Sequence, residues 1–244
     1  MRLAVISDIH GNRQALEAVL DDIEREGVSE IWCLGDIVGY GASPDECCDL
    51  TREAAQRITL AGNHDMAVRG DLPLDEFSRG AELAARWTQE HLRRDNLDYL
   101  LALEPQDLGE DIGLYHASPR DPVWEYVLST WQAAECIDVM EGRIGAIGHS
   151  HVALWFQRDG EGQVTGATAE AGLELDLSGG SWLLNPGGVG QPRDGDPRAA
   201  WLLLDTSTWR ATWRRVEYRI DLAARAIEEA GLPRMLAERL YSGQ

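Results

Sequence analysis

"RLAVISDIHGN", residues 2–12, begins as a short continuous apolar run and turns polar at Asp8. Arg2 to Ser7 reads as a buried strand, since an apolar run this brief, closed by loop chemistry, is too short for a helix. After it, Ala15, Leu16, Val19, Leu20 and Ile23 recur at helical spacing until Gly27, a natural C-terminal stop. The pattern is strand, polar loop, helix, and it repeats. "EIWCLG" (30–35) predicts a second strand. Ser43, Pro44 and Glu46 predict a capping box with proline in the first turn of a helix running to about Arg57, and "ITLAG" (58–62) predicts a third strand. Strands alternating with helices in this way imply a right-handed βαβ series around a parallel sheet.

Residues 75–103 are helical by pattern and are expected to lie over one edge of that sheet as a cap. Strands are expected near Ile112–His116, Ile144–Ile147, Ala153–Gln157, Val164–Thr168, Trp182–Leu184, Ala200–Asp205 and Thr212–Tyr218. No helix is read between the later ones, so they are expected to form a second, largely antiparallel sheet packed on the first. Asp221 to about Leu240 closes the chain with helix, interrupted at Gly231, Leu232 and Pro233. With no internal repeat, low-complexity segment or linker, one domain over residues 1–244 is expected.

Composition narrows the function classes. A chain of 244 residues with 44% hydrophobic content can build its own core. It has no apolar run of about 18 residues, and Asp8 and His10 come too early for a signal-peptide apolar region, so a soluble, cytoplasmic protein without a membrane span is expected. Cys33, Cys47, Cys48 and Cys136 show no paired CxxC spacing and are expected to be reduced and buried. The formal charge is −20, and every basic residue is an arginine with no dense basic block. Binding to long nucleic acid is therefore not expected. A small anionic ligand remains possible, but it requires a local positive centre.

The unusual polar residues fall beyond the carboxyl ends of the strands, where open α/β sheets build their sites. Asp8 and His10 follow the first strand, Asp36 the second, and Asn63, His64 and Asp65 the third. His116 ends "IGLYH", and His149 and His151 follow "IGAIG". His91 alone among the histidines lies elsewhere. Asp8 with His10, and His149 with His151, are each two residues apart and in extended backbone would project to one side. "GNHD" (62–65) alone is an ordinary turn, with Gly62 allowing the bend. A nitrogen and oxygen donor set without thiolate suits manganese, iron, zinc, cobalt or nickel better than calcium or magnesium. The donors outnumber the needs of one tetrahedral site, and two metals about 3.5–4 Å apart would use them.

"DIH" (8–10), "GD" (35–36), "GNHD" (62–65), His116 and "GHSH" (148–151) resemble, in order and approximate spacing, the motifs of the calcineurin-like metallophosphoesterases. The resemblance implies a four-layer α/β/β/α sandwich of two mixed sheets flanked by helices, with a dinuclear metal centre at one edge. It implies that Asp8, His10, Asp36 and His151 hold one metal, and that Asp36, Asn63, His116 and His149 hold the other, with Asp36 bridging. Manganese is the favoured metal, with iron, zinc, nickel or cobalt as alternatives. His64 would stand over the substrate phosphate as general acid or transition-state stabiliser, with Asp65 orienting its ring. A bridging hydroxide would attack the phosphorus in line. Two metals, Asp8, Asp36 and one hydroxide together leave a positive centre in a negative protein.

Protein serine/threonine phosphatases and symmetric dinucleoside tetraphosphatases follow their "GD" with aspartate-arginine-glycine, whereas here "IVGYGASPDEC" follows Asp36. The phosphate-gripping arginine of those branches is missing at that place. The chain looks more like the small bacterial and archaeal phosphodiesterases, acting on a small phosphate ester or nucleotide. A phosphomonoesterase or nucleotide pyrophosphatase with the same centre is the runner-up, and a non-catalytic scaffold is disfavoured because the expected ligands and His64 are all present. "HASPRDPVWEY" (116–126) and "NPGGVGQPRDGDPRA" (185–199) add Arg120 and Arg193 as candidate phosphate forks, unless they pair with Asp121 and Asp194. Asn12 and Tyr40 are further substrate-binding candidates. Trp124 and Tyr126 could stack on a base, although aromatics beside a sheet are more often core.

Overall fold

The opening strand, β1 (Arg2–Ile6), is apolar on both faces because both faces are covered, and it lies inside a six-stranded sheet. The structure, a computed structural model, describes residues 1–109 and 111–244. After β1 come α1 (Arg13–Arg25), β2 (Glu30–Cys33), α2 (Pro44–Ala54) and β3 (Ile58–Thr59), and the three strands pair in parallel as the alternation predicts. Asn12 caps α1, its side-chain oxygen accepting the Ala15 N–H at 3.1 Å, and the helix buries Ala15, Leu16, Val19 and Ile23. The capping box expected at Ser43 and Glu46 does not form. The Ser43 hydroxyl accepts nothing from α2, while its backbone N–H donates to the Gly11 carbonyl, so the residue ties two loops together instead. Half of such a box occurs one helix later, at α3 (Asn63–Arg69), where the Asp65 carboxylate accepts the Gly62 N–H at 2.9 Å.

The 75–103 segment is helical as expected, but broken: a 3-10 turn (Leu74–Glu76), α4 (Arg79–His91) and α5 (Arg94–Leu101). There follow β4 (Gln106–Leu108), β5 (Ile112–Tyr115), α6 (Thr130–Val139), β6 (Ile144–Ala146), β7 (Leu154–Arg158), β8 (Val164–Thr168), β9 (Glu174–Asp176), β10 (Ser181–Asn185), β11 (Ala199–Asp205), β12 (Arg210–Val216), α7 (Ile220–Glu229) and α8 (Arg234–Glu238). The second sheet runs β4-β5-β6-β10-β7-β8 and is mixed, with β5, β6 and β10 parallel, rather than largely antiparallel.

The last two long strands do not join that second sheet at all. β11 pairs antiparallel with β1 and β12 with β11, so the first sheet runs β3-β2-β1-β11-β12-β9. The reason is burial: Ala199–Leu204 is buried at every residue, which only a central strand permits. α6 escapes the sequence reading because its buried residues are just Ala133, Cys136 and Ile137, little more than one turn of pattern.

Leu3 and Val5 of β1 and Leu202 and Leu204 of β11 meet Ile144, Trp182 and Leu184 of the other sheet in one apolar layer. α1, α2 and α5 cover the outer face of the first sheet, and α6 covers that of the second. The result is a four-layer α/β/β/α sandwich. α4 is fastened to α7 and α8 through Ala81, Ala84, Ile227 and Leu236, and the chain breaks at Gly231 (φ 71°) as expected. The four cysteines are free and buried, and no described helix is long and apolar enough to cross a membrane.

Candidate metal centre and its cavity

β1, β2 and β3 in one sheet and β5 and β6 in the other deliver their following loops to one edge. The loops are stitched together by main chain: Asp8 N–H to the Gly35 carbonyl at 3.0 Å, His10 N–H to that of Asp36 at 2.8 Å, and Gly148 N–H to that of His116 at 2.7 Å. The backbone here is not extended, as the i, i+2 spacing had suggested. Asp8, His10, Asp36, His149 and His151 are all left-handed, with φ of 56°, 49°, 55°, 62° and 59°, and so is Tyr40 at 56°. Such residues cost roughly 1–3 kcal/mol each and persist where surrounding structure over-determines them, characteristically at functional sites. Gly62, by contrast, has φ −92°, open to any residue. It is needed for room: a Cβ there would overlap the Asp36 carboxylate.

The structure brings together all seven expected ligands, each at most 4% exposed. Asp8, His10, Asp36 and His151 form one group and Asp36, His116 and His149 another, the candidate donor atoms within each group lying within 4.8 Å of one another. Asn63 joins the second, its amide oxygen 3.2 Å from His116 Nε2. Asp36 Oδ2 is the shared corner, 3.4 Å from His10 Nε2 and 3.6 Å from His116 Nε2, and it is buried without a hydrogen bond.

The tautomers test whether a cation fits. His10 Nδ1 faces the Val38 carbonyl at 3.0 Å and His151 Nδ1 that of Gln191 at 2.6 Å, so both nitrogens donate. Their Nε2 atoms are then lone pairs facing each other at 3.0 Å. Likewise His116 donates from Nδ1 to the Leu34 carbonyl at 2.9 Å and turns a lone pair on the Asn63 oxygen. Lone pairs repel at these distances unless a cation lies between them, and a backbone acceptor behind each imidazole is the usual support of a metal-ligating histidine. The donor set therefore fits divalent cations.

Burial shapes the charges. It raises the Asp8 carboxyl to about 7 and Asp36 well above the carboxylate range, and it lowers His10, His149 and His151 well below the usual imidazole range. Neutral imidazoles are ready to bind metal, whereas the carboxyls must first lose protons.

His64 lies beside this centre. Its backbone N–H donates to Asp36 Oδ1 at 2.9 Å, and its ring packs against Tyr40 at 4.4 Å and Phe77 at 5.1 Å. Nδ1 is buried without a partner, and burial lowers the ring to about 3, so it is neutral with Nε2 left to the cavity. Asp65 does not orient it. The two Asp65 oxygens accept the Val38 and Gly62 N–H groups at 3.0 and 2.9 Å, tying the Asp36 loop to α3.

A cavity of about 400 Å³ opens from the centre, lined among others by Asp36, Asn63, His64, His149 and His151. Of the weaker candidates, Tyr40 and Arg193 line it. Arg193 forms no ion pair with Asp194, which is taken by Arg215. Arg120 is elsewhere, paired with Glu135 and Glu125 rather than with phosphate or Asp121. Asn12 is a structural cap whose amide also donates to the Gly190 carbonyl at 2.8 Å. Trp124 and Tyr126 belong to the cavity wall rather than the core, Tyr126 stacking on His149 at 4.3 Å. Phe77, at the mouth of the cap, and Arg239, near the C-terminus, line it too and carry no sequence signal that points to the site.

Residues 1–208 match a family described as the calcineurin-like phosphoesterase superfamily domain. An uncharacterised protein of Methanocaldococcus jannaschii is 39% identical over 99% of this chain and 98% of its own length. The phosphodiesterase YfcE of Escherichia coli is 30% identical over 40% of this chain and 54% of its own. Among solved structures, a metallophosphoesterase from Sphaerobacter thermophilus superposes with a TM-score of 0.91 at 43% identity, covering 100% of this chain and 99% of that one. With the match covering every strand but β12 and every loop of the donor cluster, the chain belongs to the calcineurin-like phosphoesterase superfamily.

Proposed function

We propose that this protein is a phosphodiesterase that binds two divalent transition-metal ions, manganese foremost, and hydrolyses a small phosphate ester or nucleotide. The observation that carries the reading is Asp36 Oδ2, a buried, unpartnered oxygen shared by two donor groups beside His64. Asp8, His10, Asp36 and His151 would hold one ion, and Asp36, Asn63, His116 and His149 the other. Divalent ions held there would lower the pKa of coordinated water and polarise phosphoryl oxygens.

The chain's own residues supply the rest. His64, neutral and with Nε2 towards the cavity, donates a hydrogen bond to the phosphate or departing ester oxygen, which gains charge as its bond to phosphorus breaks. Asp65 keeps the Asp36 loop and α3 in register, so that ligand and donor stay aligned. The cavity volume suits a small molecule, and the −20 charge opposes a long polyanion.

Turnover of bis-p-nitrophenyl phosphate and p-nitrophenyl phosphate with manganese tests the proposal. The diester is expected to be the better substrate. Preference for the monoester would turn the reading to a phosphomonoesterase with the same centre, and hydrolysis of neither by metal-loaded protein would overturn it.

A further inference from the structure

The cavity wall away from the donor groups carries charge that cleavage of one simple ester does not require. In this acidic protein, every described arginine pairs with a side-chain carboxylate except Arg143, Arg193, Arg225 and Arg239. Arg143 donates to the Leu177 carbonyl and lies over Trp209, and Arg225 sits on the exposed face of α7. The other two, 46 positions apart in sequence, line the same cavity.

Arg193 gives one terminal nitrogen to the Tyr40 hydroxyl at 3.3 Å and the Gln191 amide oxygen at 3.0 Å, while its Nε is buried without a partner. Arg239 donates Nε to a main-chain oxygen of Gln244 at 2.6 Å, with both terminal nitrogens lacking a partner among the described residues. Two guanidiniums without a side-chain carboxylate in one cavity repel each other, and burial with the Arg193 charge pushes Arg239 below the usual arginine range. Such an arrangement is costly unless an anion completes it.

The two differ in depth. Arg193 is the inner one: it stands 5.6 Å over the Tyr40 ring, which packs on His10 at 4.7 Å and His64 at 4.4 Å. Arg239 is the outer one, with Arg193, Tyr40 and Tyr126 as its charged or titratable neighbours. Beside them Phe77 and Trp124 form a tilted aromatic pair at 5.1 Å, able to take a flat ring. Among the described residues Glu76 is the only carboxylate lining the cavity besides Asp36, and it is exposed.

We propose that the substrate is a phosphate diester bearing a second phosphate on the same molecule, with the scissile phosphate beneath Arg193, the second held by Arg239, and a planar body against Phe77 and Trp124. This rests on the phosphodiesterase reading and names the substrate class for it. Both phosphates then meet cations, and the lining that is spare for a simple ester is used.

Two probes with the same scissile bond decide it: diadenylate with a 5′-terminal phosphate (pApA) and the same dinucleotide without it (ApA), each with manganese. Wild type is expected to favour pApA by about tenfold or more in kcat/KM, and Arg239→Gln to bring the ratio close to one, with Arg239→Lys between. Misfolding would lower both rates and leave the ratio unmoved, so the ratio is the readout. Equal rates in wild type, or an unchanged preference in Arg239→Gln, would overturn the proposal. If wild type cleaves neither probe nor bis-p-nitrophenyl phosphate, the phosphodiesterase reading fails by itself. Calorimetry with the same two dinucleotides still decides this one: tighter pApA binding that Arg239→Gln abolishes supports it, and equal binding refutes it.

Discussion

The two halves of the site are built on opposite plans. The donor half comes from five loops at one sheet edge, is almost wholly buried, and has main-chain carbonyls behind four of its histidine rings. The outer half is assembled from the cap, the 122–126 loop, the loop between β10 and β11 and the C-terminal segment, is partly exposed, and presents arginines that no described side-chain carboxylate neutralises. A buried donor set held by backbone tolerates little change because every ring orientation is over-determined. A wall of side chains from distant segments can change its lining without disturbing the fold, which is how one superfamily fold serves many substrates.

The sharpest way to break this contrast is Asp36→Asn. It removes the charge shared by both donor groups and is expected to lower kcat/KM by at least about 10³-fold. Bound metal, measured by mass spectrometry, should fall with it; full metal occupancy in the variant would contradict the shared-corner role. His64→Ala should separate metal binding from turnover, keeping both metals while kcat drops by about 10²–10⁴-fold. Parallel loss of metal would make His64 a ligand instead.

Metal binding should also follow pH. Proton and cation compete for the Asp8 carboxyl, which burial raises to about 7, and for Asp36, which burial raises well above the carboxylate range, while the lowered histidines are already neutral and offer no competing proton. Affinity therefore weakens as pH falls through 7, by about tenfold per unit for each competing proton. Calorimetric manganese titrations at pH 7.5 and 5.5 read this directly, and equal affinities would refute it. In the outer half the effects are smaller. Phe77→Ala should raise KM for an aromatic ester by about tenfold or less and leave metal content unchanged.

Much of the donor half was legible in the sequence because its residues follow strands that are themselves legible. The apolar run before Asp8, the "GNHD" after Ile58–Ala61 and the "GHSH" after Ile144–Ile147 each place a polar cluster at a strand end. The side-chain geometry was not legible. The i, i+2 pairs converge through left-handed backbone rather than extended projection, and Asp65 holds amides rather than the His64 ring. Both depend on neighbouring loops that approach only in the folded chain.

What the sequence by itself determined was local: the βαβ opening, the helical cap region, and a nitrogen and oxygen donor set at strand ends, since periodicity and residue chemistry act over a few positions. Only the tertiary structure decided the long-range matters. β11 and β12 return to the first sheet because a strand buried along nearly its whole length must lie between covered faces. Phe77, Trp124, Arg193 and Arg239, dispersed over most of the chain, become one cavity wall because packing brings together segments that sequence spacing keeps apart.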